Sequence, residues 1–287
     1  GRVLSQYYEM RQLIRIELFK ISKRPRTYIG FGTIAFIIFA FEFAAMGNGE
    51  ALFGLIFKNL QSMFSMEGNI INVNFVTYLL MNTLILQVPI LLVLVTGDMI
   101  SGEASKGSLR LLLQRPYSRT QIFFAKWIAA SVYTITLVLF AGLLAYGLGY
   151  LLFGDGDLFV FRQMINIINE DDVTWRFGFG LGIGVLAMLV VSSLSLMISS
   201  FVNNSIGPIV GTIAVIIVLT VLSTLMVNLI EPILPYLFTT HFIKWQYFFD
   251  PEMDWPTINN AVVVLIAYII GFTAVGWWNF RRKDILT

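Results

Sequence analysis

Residues 98–126 read DMISGEASKGSLRLLLQRPYSRTQIFFAK, the longest polar interval on the more basic side of an otherwise hydrophobic chain. Ser101 is predicted to cap a short helix, in which basic and small residues alternate with leucines until Pro116 ends it. Ser118 and Gln121 have the spacing of a capping box, in which each side chain accepts a hydrogen bond from the other residue's backbone N–H. The stretch therefore predicts a short amphipathic helix, a turn and a long helix that enters the membrane.

The composition around this stretch is that of a membrane protein. Of 287 residues, 57% are hydrophobic and 13% are charged, against about 45–50% and about 25% in soluble domains. Six apolar runs reach the roughly 20 residues that a helix needs to cross about 30 Å of hydrocarbon. We therefore predict an all-α integral membrane protein, in which an amphipathic segment over 1–27 precedes a membrane domain over 28–287. Its six transmembrane helices are predicted at 28–46, 76–96, 122–153, 177–201, 206–230 and 258–280.

The Lys and Arg residues are unevenly distributed along the chain. Fifteen of the 19 lie before Tyr28, within 98–126 or after Phe280. Because basic residues concentrate in cytoplasmic segments, both termini and the 98–126 loop are predicted to be cytoplasmic, in a multi-pass protein of the cell membrane. Membrane lipid is therefore an expected partner. Nucleic acid is not, since the basic residues form no single patch.

The N-terminal residues 5–22 place apolar side chains on one helical face and basic side chains off it. This pattern is typical of an amphipathic helix that lies along the inner headgroup layer. The apolar face is formed by Tyr7, Met10, Leu13, Ile14, Leu18 and Ile21, with Arg11, Arg15 and Lys20 away from it.

Three segments between the predicted spans are expected on the outer side, at 47–75, 154–176 and 231–257. The first and third contain stretches that are too polar or broken to span the membrane and too apolar to be free loops. Short interfacial or re-entrant helices are therefore expected there, including before the sixth span. The 154–176 segment is acidic, and a solvated loop is expected, with cation binding as the alternative.

Polar residues inside the predicted spans are candidates for a hinge or a substrate path. Gln87 and Pro89 lie near the middle of the second span, where a proline removes a backbone hydrogen bond and can kink the helix. Ser192, Ser195 and Ser199 share one face of the fourth span at helical spacing. They line a polar path in one interpretation and bond to their own helix carbonyls in the other.

Two isolated titratable residues have weaker functional interpretations. Glu42 lies in the outer third of the first span, and its carboxylate is expected to reach the outer interface, with a buried coupling acid as the alternative. His241 is the only histidine and has no second ligand nearby in the sequence, so no catalytic or metal-binding role is predicted for it.

The polar loop also carries a motif, GExxxGxLxLLLxxPxSRxxxxxxK, between Gly102 and Lys126. Its pattern, between the second and third spans and after an N-terminal amphipathic helix, resembles the ABC-2 permease family, the membrane subunits of ATP-driven exporters. The resemblance implies that the N-terminal helix is an elbow helix and that the loop contains a coupling helix, which docks into a groove on the ATPase subunit. It implies that Leu109, Leu112 and Leu113 fill that groove, that Glu103, Lys106, Arg110 and Arg119 set the electrostatic register, and that Gly107 belongs to the same docking motif.

The chemistry that the chain lacks agrees with a role as the transport subunit. No GxxxxGK[ST] phosphate-binding loop occurs, so we predict that the chain is not an enzyme and holds no cofactor of its own. The resemblance then implies two separate ATPase subunits that bind ATP and Mg²⁺, and a second permease subunit that is identical or related. The alternative function is an ATP-independent membrane scaffold or secondary carrier. A carrier usually shows charges in mid-membrane and two matching internal halves.

Overall fold

The computed structural model describes residues 2–56, 71–114, 117–161, 165–225 and 231–283. Six of the helices in these ranges are long and apolar enough to cross a membrane, so the predicted α-helical membrane protein with six spans is confirmed. The helices are α1 (Arg2–Lys23), α2 (Pro25–Ile56), α3 (Val73–Thr96), α4 (Asp98–Ser105), α5 (Ser108–Leu113), α6 (Arg119–Phe153), α7 (Glu170–Phe201), α8 (Ile206–Leu225) and α9 (Trp255–Arg282).

A small hairpin is the one departure from all-helical structure in the described ranges. Strands β1 (Leu158–Phe161) and β2 (Ile165–Ile168) pair antiparallel, with Leu158 opposite Ile168. Leu158, Val160 and Ile168 are buried, so the alternation of β1 points every second side chain into the protein. The segment expected to be an acidic loop is therefore partly a strand pair, and α7 already begins at Glu170.

The centre of the bundle is α7, which packs against α3, α6, α8 and α9. Over its most apolar window, 56% of the residues are buried inside the protein, against 11% for α8 and 17% for α9. Most apolar side chains of α8 and α9 therefore face away from the interior of this chain, where they can contact lipid or another subunit.

The segment before α9 folds as three short 3₁₀ helices, at Leu234–Tyr236, Phe238–His241 and Lys244–Phe249. The buried Arg176 of α7 fixes this segment by donating to the carbonyls of Phe248 (2.6 Å) and Asp250 (3.2 Å). The prediction that short helices precede the sixth span is thus confirmed. In the other predicted outer segment, α2 continues as a helix to Ile56, and 57–70 lie outside the described residues.

The two predicted helix starts in the polar loop have different outcomes. The capping box at the start of α6 is confirmed, since Ser118 Oγ accepts from the Gln121 N–H and Gln121 Oε1 accepts from the Ser118 N–H. The predicted helix start at Ser101 is wrong, because α4 follows α3 directly through Gly97, which keeps helical backbone angles. Ser101 lies inside α4, and its hydroxyl donates to the Gly97 carbonyl (3.0 Å).

Two ends of the bundle can be distinguished. The α1 end contains α1, α4, α5 and the first turns of α6, and the hairpin end contains β1, β2 and the three 3₁₀ helices. With 35 residues, α6 is about 52 Å long, roughly 20 Å more than a hydrocarbon core requires. It therefore has turns to spare outside the core.

Candidate functional site at the α1 end of the bundle

Four side chains at the α1 end form a closed ring of ion pairs, which we call the lysine–glutamate ring: Glu17, Lys20, Glu103 and Lys126. Lys126 Nζ lies 2.7 Å from Glu103 Oε2 and 3.0 Å from Glu17 Oε2. Lys20 Nζ lies 2.8 Å from Glu17 Oε1 and 2.9 Å from Glu103 Oε1. Each carboxylate thus bridges both ammonium groups, and the ring has no net charge.

Three separate elements bring the ring together. Glu17 lies on α1 between Leu13 and Ile21, one turn away on either side, and all three side chains are buried. This face of α1 packs against α6, whose Lys126 is fully buried. Glu103 comes from α4, so the ring joins the N-terminal helix, the polar loop and the third span.

The ring is energetically sensitive because three of its four charged side chains, those of Glu17, Glu103 and Lys126, are buried. Buried ions lose several kcal/mol of hydration each, which is recovered only when every charge is paired with good geometry. Burial opposes the charged form of Lys20, but the carboxylates of Glu17 and Glu103 outweigh it and raise the pKa of Lys20 above its ordinary value. The ring is therefore stable as a unit, and loss of one member leaves an unpaired buried charge.

Two arginines extend the ring toward the start of α2. Arg24 Nη1 and Arg26 Nη1 each lie 3.5 Å from Asp98 Oδ2, and Arg24 Nη2 lies 3.8 Å from Glu103 Oε1. Asp98 is the first residue of α4. Both ends of α4 are consequently held by charges from the segment that links α1 to α2.

The α3–α4 junction is held from the other side by serines of α7. Ser199 Oγ donates to the Gly97 carbonyl (2.7 Å) and accepts from the Ser101 N–H (2.9 Å). Ser195 Oγ accepts from the Thr96 hydroxyl (3.1 Å). Neither predicted role fits these two residues, because they bind another helix rather than line a path or bond to their own carbonyls. Ser192, the third serine of the predicted face, is buried.

The structure removes several residues from the predicted ATPase-docking set. Glu103 and Leu109 are buried, so neither can enter a partner's groove without leaving the core. Arg119 donates to the backbone carbonyls of Arg281 and Lys283, which ties the start of α6 to the end of α9. Leu112 is half-buried against the core. In this structure Glu103 and Leu109 are therefore not available to a partner's groove, and Arg119 and Leu112 are engaged within the chain.

The remaining docking candidates lie at the turn between α4 and α5. Lys106 is exposed, and Gly107 has φ +72°, a conformation that costs other residues about 1–2 kcal/mol. Leu111, which was not in the predicted set, is 66% exposed. Arg110 and Leu113 belong to α5. Exposed residues at this turn and on α5 include Lys106, Ser108 and Leu111, which we call the exposed loop surface.

The predicted hinge residues lie within α3, as expected, whereas the position of the predicted outer acid differs from the expectation. Pro89 lies inside an uninterrupted α3, where it lines an apolar cavity of about 250 Å³ shared with α8 and Phe242. Gln87 is half-buried on the same helix, and its Oε1 has no hydrogen-bond partner. Glu42 is fully buried, so the expectation that its carboxylate reaches the interface is wrong.

Residues 29–286 match a family described as "Protein of unknown function (DUF2705)". The chain belongs to this family. The "Uncharacterized membrane protein YdbK" of Bacillus subtilis (strain 168) is 26% identical to it over 215 residues, which cover 74% of this chain and 84% of that protein. The name of this relative agrees with the six spanning helices. The range matched to DUF2705 contains Glu103 and Lys126 and begins after Glu17 and Lys20.

The ring of this DUF2705 protein was not predicted, although two signals for it are present in the sequence. Glu17 interrupts the apolar face of α1 at the position between Leu13 and Ile21, where an unpaired acid would be unfavourable. Lys126 lies within the predicted third span, where a charged residue is expensive and needs a partner. What the sequence lacked was the pairing, because Glu17 and Lys126 are far apart along the chain and meet only when α1 packs on α6.

Proposed function

We propose that this chain is the transmembrane permease subunit of an ATP-driven exporter of the ABC-2 type. In this proposal, ATP hydrolysis on a separate ATPase subunit drives export of a substrate across the cell membrane. The observation that supports it most is the lysine–glutamate ring, which ties the polar loop between the second and third spans to both α1 and α6. In this role α1 is the elbow helix, and α4 with α5 forms the coupling element.

The ring gives the proposal a mechanical route. The ATPase contacts the exposed loop surface of Lys106, Ser108 and Leu111, and its movement displaces α5 and α4. Because Glu103 is paired with Lys126 at 2.7 Å, α4 cannot move without pulling on α6 or breaking a buried ion pair. The long α6 then carries the displacement to the far side of the membrane.

The proposal also fixes orientation and partners. The α1 end faces the cytoplasm, in line with the fifteen Lys and Arg residues of the terminal segments and the polar loop. Two ATPase subunits bind ATP and Mg²⁺ there, and a second permease subunit, identical or related, completes the transporter. The 3₁₀ segment at the hairpin end then lies at the outer leaflet, where it can cap the exit path.

The test is ATP hydrolysis that co-purifies with the tagged chain from its own host and depends on the exposed loop surface. Lys106→Glu and Leu111→Asp should each lower the co-purified, membrane-dependent hydrolysis several-fold, because they alter the contact without entering the core. Glu252→Lys, at an exposed position of the hairpin end, is the matched control and should leave hydrolysis unchanged. Equal hydrolysis in all three variants and the wild type would show that this surface is not the ATPase contact.

One observation favours the alternative of an ion-coupled secondary carrier. Glu42 is a fully buried acid within the first spanning helix, and such residues often mark ion pathways in carriers. Proteoliposomes that contain the chain alone discriminate between the two functions. A carrier exchanges substrate with an ion gradient and no ATPase, whereas the exporter requires the ATPase subunit and ATP.

A further inference from the structure

Glu42 lies within the first spanning helix, about one and a half turns before Gly47, where the apolar part of α2 ends. Its side chain is 0% exposed, and neither carboxylate oxygen has a hydrogen-bond partner. A bare carboxylate in this position is unfavourable by far more than an ordinary buried polar group. The position of Glu42 therefore needs an explanation beyond packing.

The carboxylate faces two other helices at a point where one of them has no side chain. A Cβ atom placed on Gly149 of α6 would lie 3.6 Å from Glu42 Oε1 and 3.8 Å from Thr77 Oγ1 of α3. Glu42 Oε1 and Thr77 Oγ1 thus both lie near the backbone of Gly149, which has no side chain. Thr77 Oγ1, like the carboxylate, has no hydrogen-bond partner.

Asn74 adds a third polar group on the same face of α3, one turn before Thr77. Its Nδ2 donates to the Gly156 carbonyl (2.7 Å) and to Asp155 Oδ1 (3.0 Å), so both N–H groups are used. Its Oδ1 is buried and has no partner. Asp155 is exposed at the hairpin end, which places this polar cluster directly beneath solvent on that side.

The cluster has more acceptors than donors. Both carboxylate oxygens of Glu42, Asn74 Oδ1 and Thr77 Oγ1 lack partners, and the Thr77 hydroxyl holds the one hydrogen still free to be donated. No Lys or Arg occurs in α2 after Arg26, in α3, or in α6 after Lys126. The titratable groups on the elements packed around Glu42 are Glu50, Tyr78, Tyr133, Tyr146, Tyr150, Asp155 and Asp157. Among the side chains that the structure describes, none is a hydrogen-bond partner of either Glu42 oxygen.

We propose that Glu42, Asn74 and Thr77 form an intramembrane cation site whose occupant is a proton bound to Glu42. A proton converts one carboxylate oxygen into a donor, which corrects the imbalance with the three residues present. A hard metal cation needs about six oxygen ligands, more than this cluster supplies. Because Asn74 is hydrogen-bonded to the exposed Asp155, the proton exchanges with the hairpin side. The proton site is inferred from the positions of these three residues alone and does not depend on the proposed ATPase partner.

The first test is chemical labelling of the full chain in lipid nanodiscs with dicyclohexylcarbodiimide, an apolar reagent that reacts with protonated carboxyl groups. Peptide mass spectrometry should find the adduct on Glu42 at about pH 6 to pH 7 and not in Glu42→Gln, with Glu50→Gln of the same helix as the matched control that keeps the adduct. Adding Na⁺ in place of choline at constant pH should not slow the labelling. Protection by Na⁺ would identify an alkali cation as the occupant and overturn the proposal.

The second test decides the case in which the reagent does not reach Glu42. Because glutamine resembles a protonated glutamate, Glu42→Gln should have the wild-type thermal unfolding midpoint below about pH 4, where Glu42 is protonated in both the folded and the unfolded chain, and the wild type should fall below the variant as the pH rises above that value. A midpoint difference that is large and independent of pH means that Glu42 is ionised, and it overturns the proposal. Thr77→Val should extend labelling to higher pH, since it removes the one free hydroxyl of the cluster that is able to donate to the ionised form, and Thr77→Ser should restore the wild-type profile.

Discussion

At the scale of single residues, Lys126 carries a buried ammonium group between two carboxylates. Lys126→Met leaves Lys20 as the one ammonium group of the ring, so within the ring one negative charge is uncompensated, and Arg24 reaches Glu103 only at 3.8 Å. Breaking a buried pair in this way costs about 3–5 kcal/mol, and we expect a large fall in the thermal unfolding midpoint of the purified protein. Lys106→Met removes an exposed lysine of the same loop and should change stability by about 0.5 kcal/mol or less.

A second substitution separates the ring from a simple packing effect. Lys126→Met combined with Glu103→Gln removes one charge of each sign and leaves the Glu17–Lys20 pair neutral. The double variant should therefore recover a large part of the stability that the single variant loses. If both substitutions instead destabilise additively, the charge pairing within the ring is not what holds these three elements together.

His241 is buried at the hairpin end, outside the spanning helices, and Nε2 donates to the Pro235 carbonyl (2.9 Å). Burial lowers the pKa of His241 below its ordinary value of 6.5, Lys244 adds to this shift, and the Pro235 hydrogen bond opposes it. The unfolded chain therefore takes up a proton at a higher pH than the folded protein does. Stability is complete above about pH 6.5 and declines as the pH falls below that value.

This pH dependence can be isolated with His241→Gln, which keeps an N–H donor and does not titrate. We expect the wild-type unfolding midpoint to fall more steeply than that of the variant between about pH 6.5 and about pH 5. Two midpoint curves that run parallel through this range would show that His241 does not contribute to acid sensitivity.

At the scale of helices, the junction of α3 and α4 depends on Ser199 of α7. Ser199→Ala removes the hydroxyl that serves the Gly97 carbonyl and the Ser101 N–H, which should cost about 1–3 kcal/mol. Hydrogen exchange should accelerate at the amides of α4 in particular, because the junction opens more often. Ser131→Ala, whose hydroxyl donates only to the Trp127 carbonyl of its own helix, is the control and should leave α4 unchanged.

Helix identities were predictable because hydrophobic runs and capping residues are local signals. The capping box at Ser118 and the spans from α2 to α9 follow from such signals, with the ends shifted by a few residues. Which leucines of α5 are buried was not predictable from the sequence. Leucines lie on most sides of this short helix, so the pattern does not single out one apolar face, as the positions of Leu109, Leu111, Leu112 and Leu113 show. Only packing against the core decides that Leu109 is buried and Leu111 exposed.

The charged sites depend on contacts between distant segments, and there the sequence was insufficient. Glu42 and Lys126 are both charged residues in apolar helices, and hydropathy treats them alike. The fold distinguishes them, because Lys126 pairs with Glu17 and Glu103, whereas neither carboxylate oxygen of Glu42 has a hydrogen-bond partner and its Oε1 faces Gly149. The signal available in the sequence for both sites was an ionisable residue within a predicted span, since such a residue needs a partner elsewhere in the chain.

At the scale of the whole molecule, the structure predicts which exposed positions share a side of the membrane. Lys106 precedes α6, Asp155 follows it, Asn204 follows α7, and Glu252 follows α8, and all four are exposed. An odd number of spans separates Lys106 from Asp155 and from Glu252, and an even number separates it from Asn204. Lys106 and Asn204 are therefore expected on one side, and Asp155 and Glu252 on the other.

Because the chain has no cysteine, a single cysteine at each position reports its side directly through an impermeant maleimide. In intact cells we expect labelling at Asp155→Cys and Glu252→Cys, and labelling at Lys106→Cys and Asn204→Cys only after permeabilisation. If the two pairs separate but with the opposite orientation, the six spans hold and a cytosolic ATPase cannot reach the exposed loop surface. If Lys106 and Asp155 share a side, α6 does not cross the membrane, and the route from the lysine–glutamate ring to the hairpin end is lost with it.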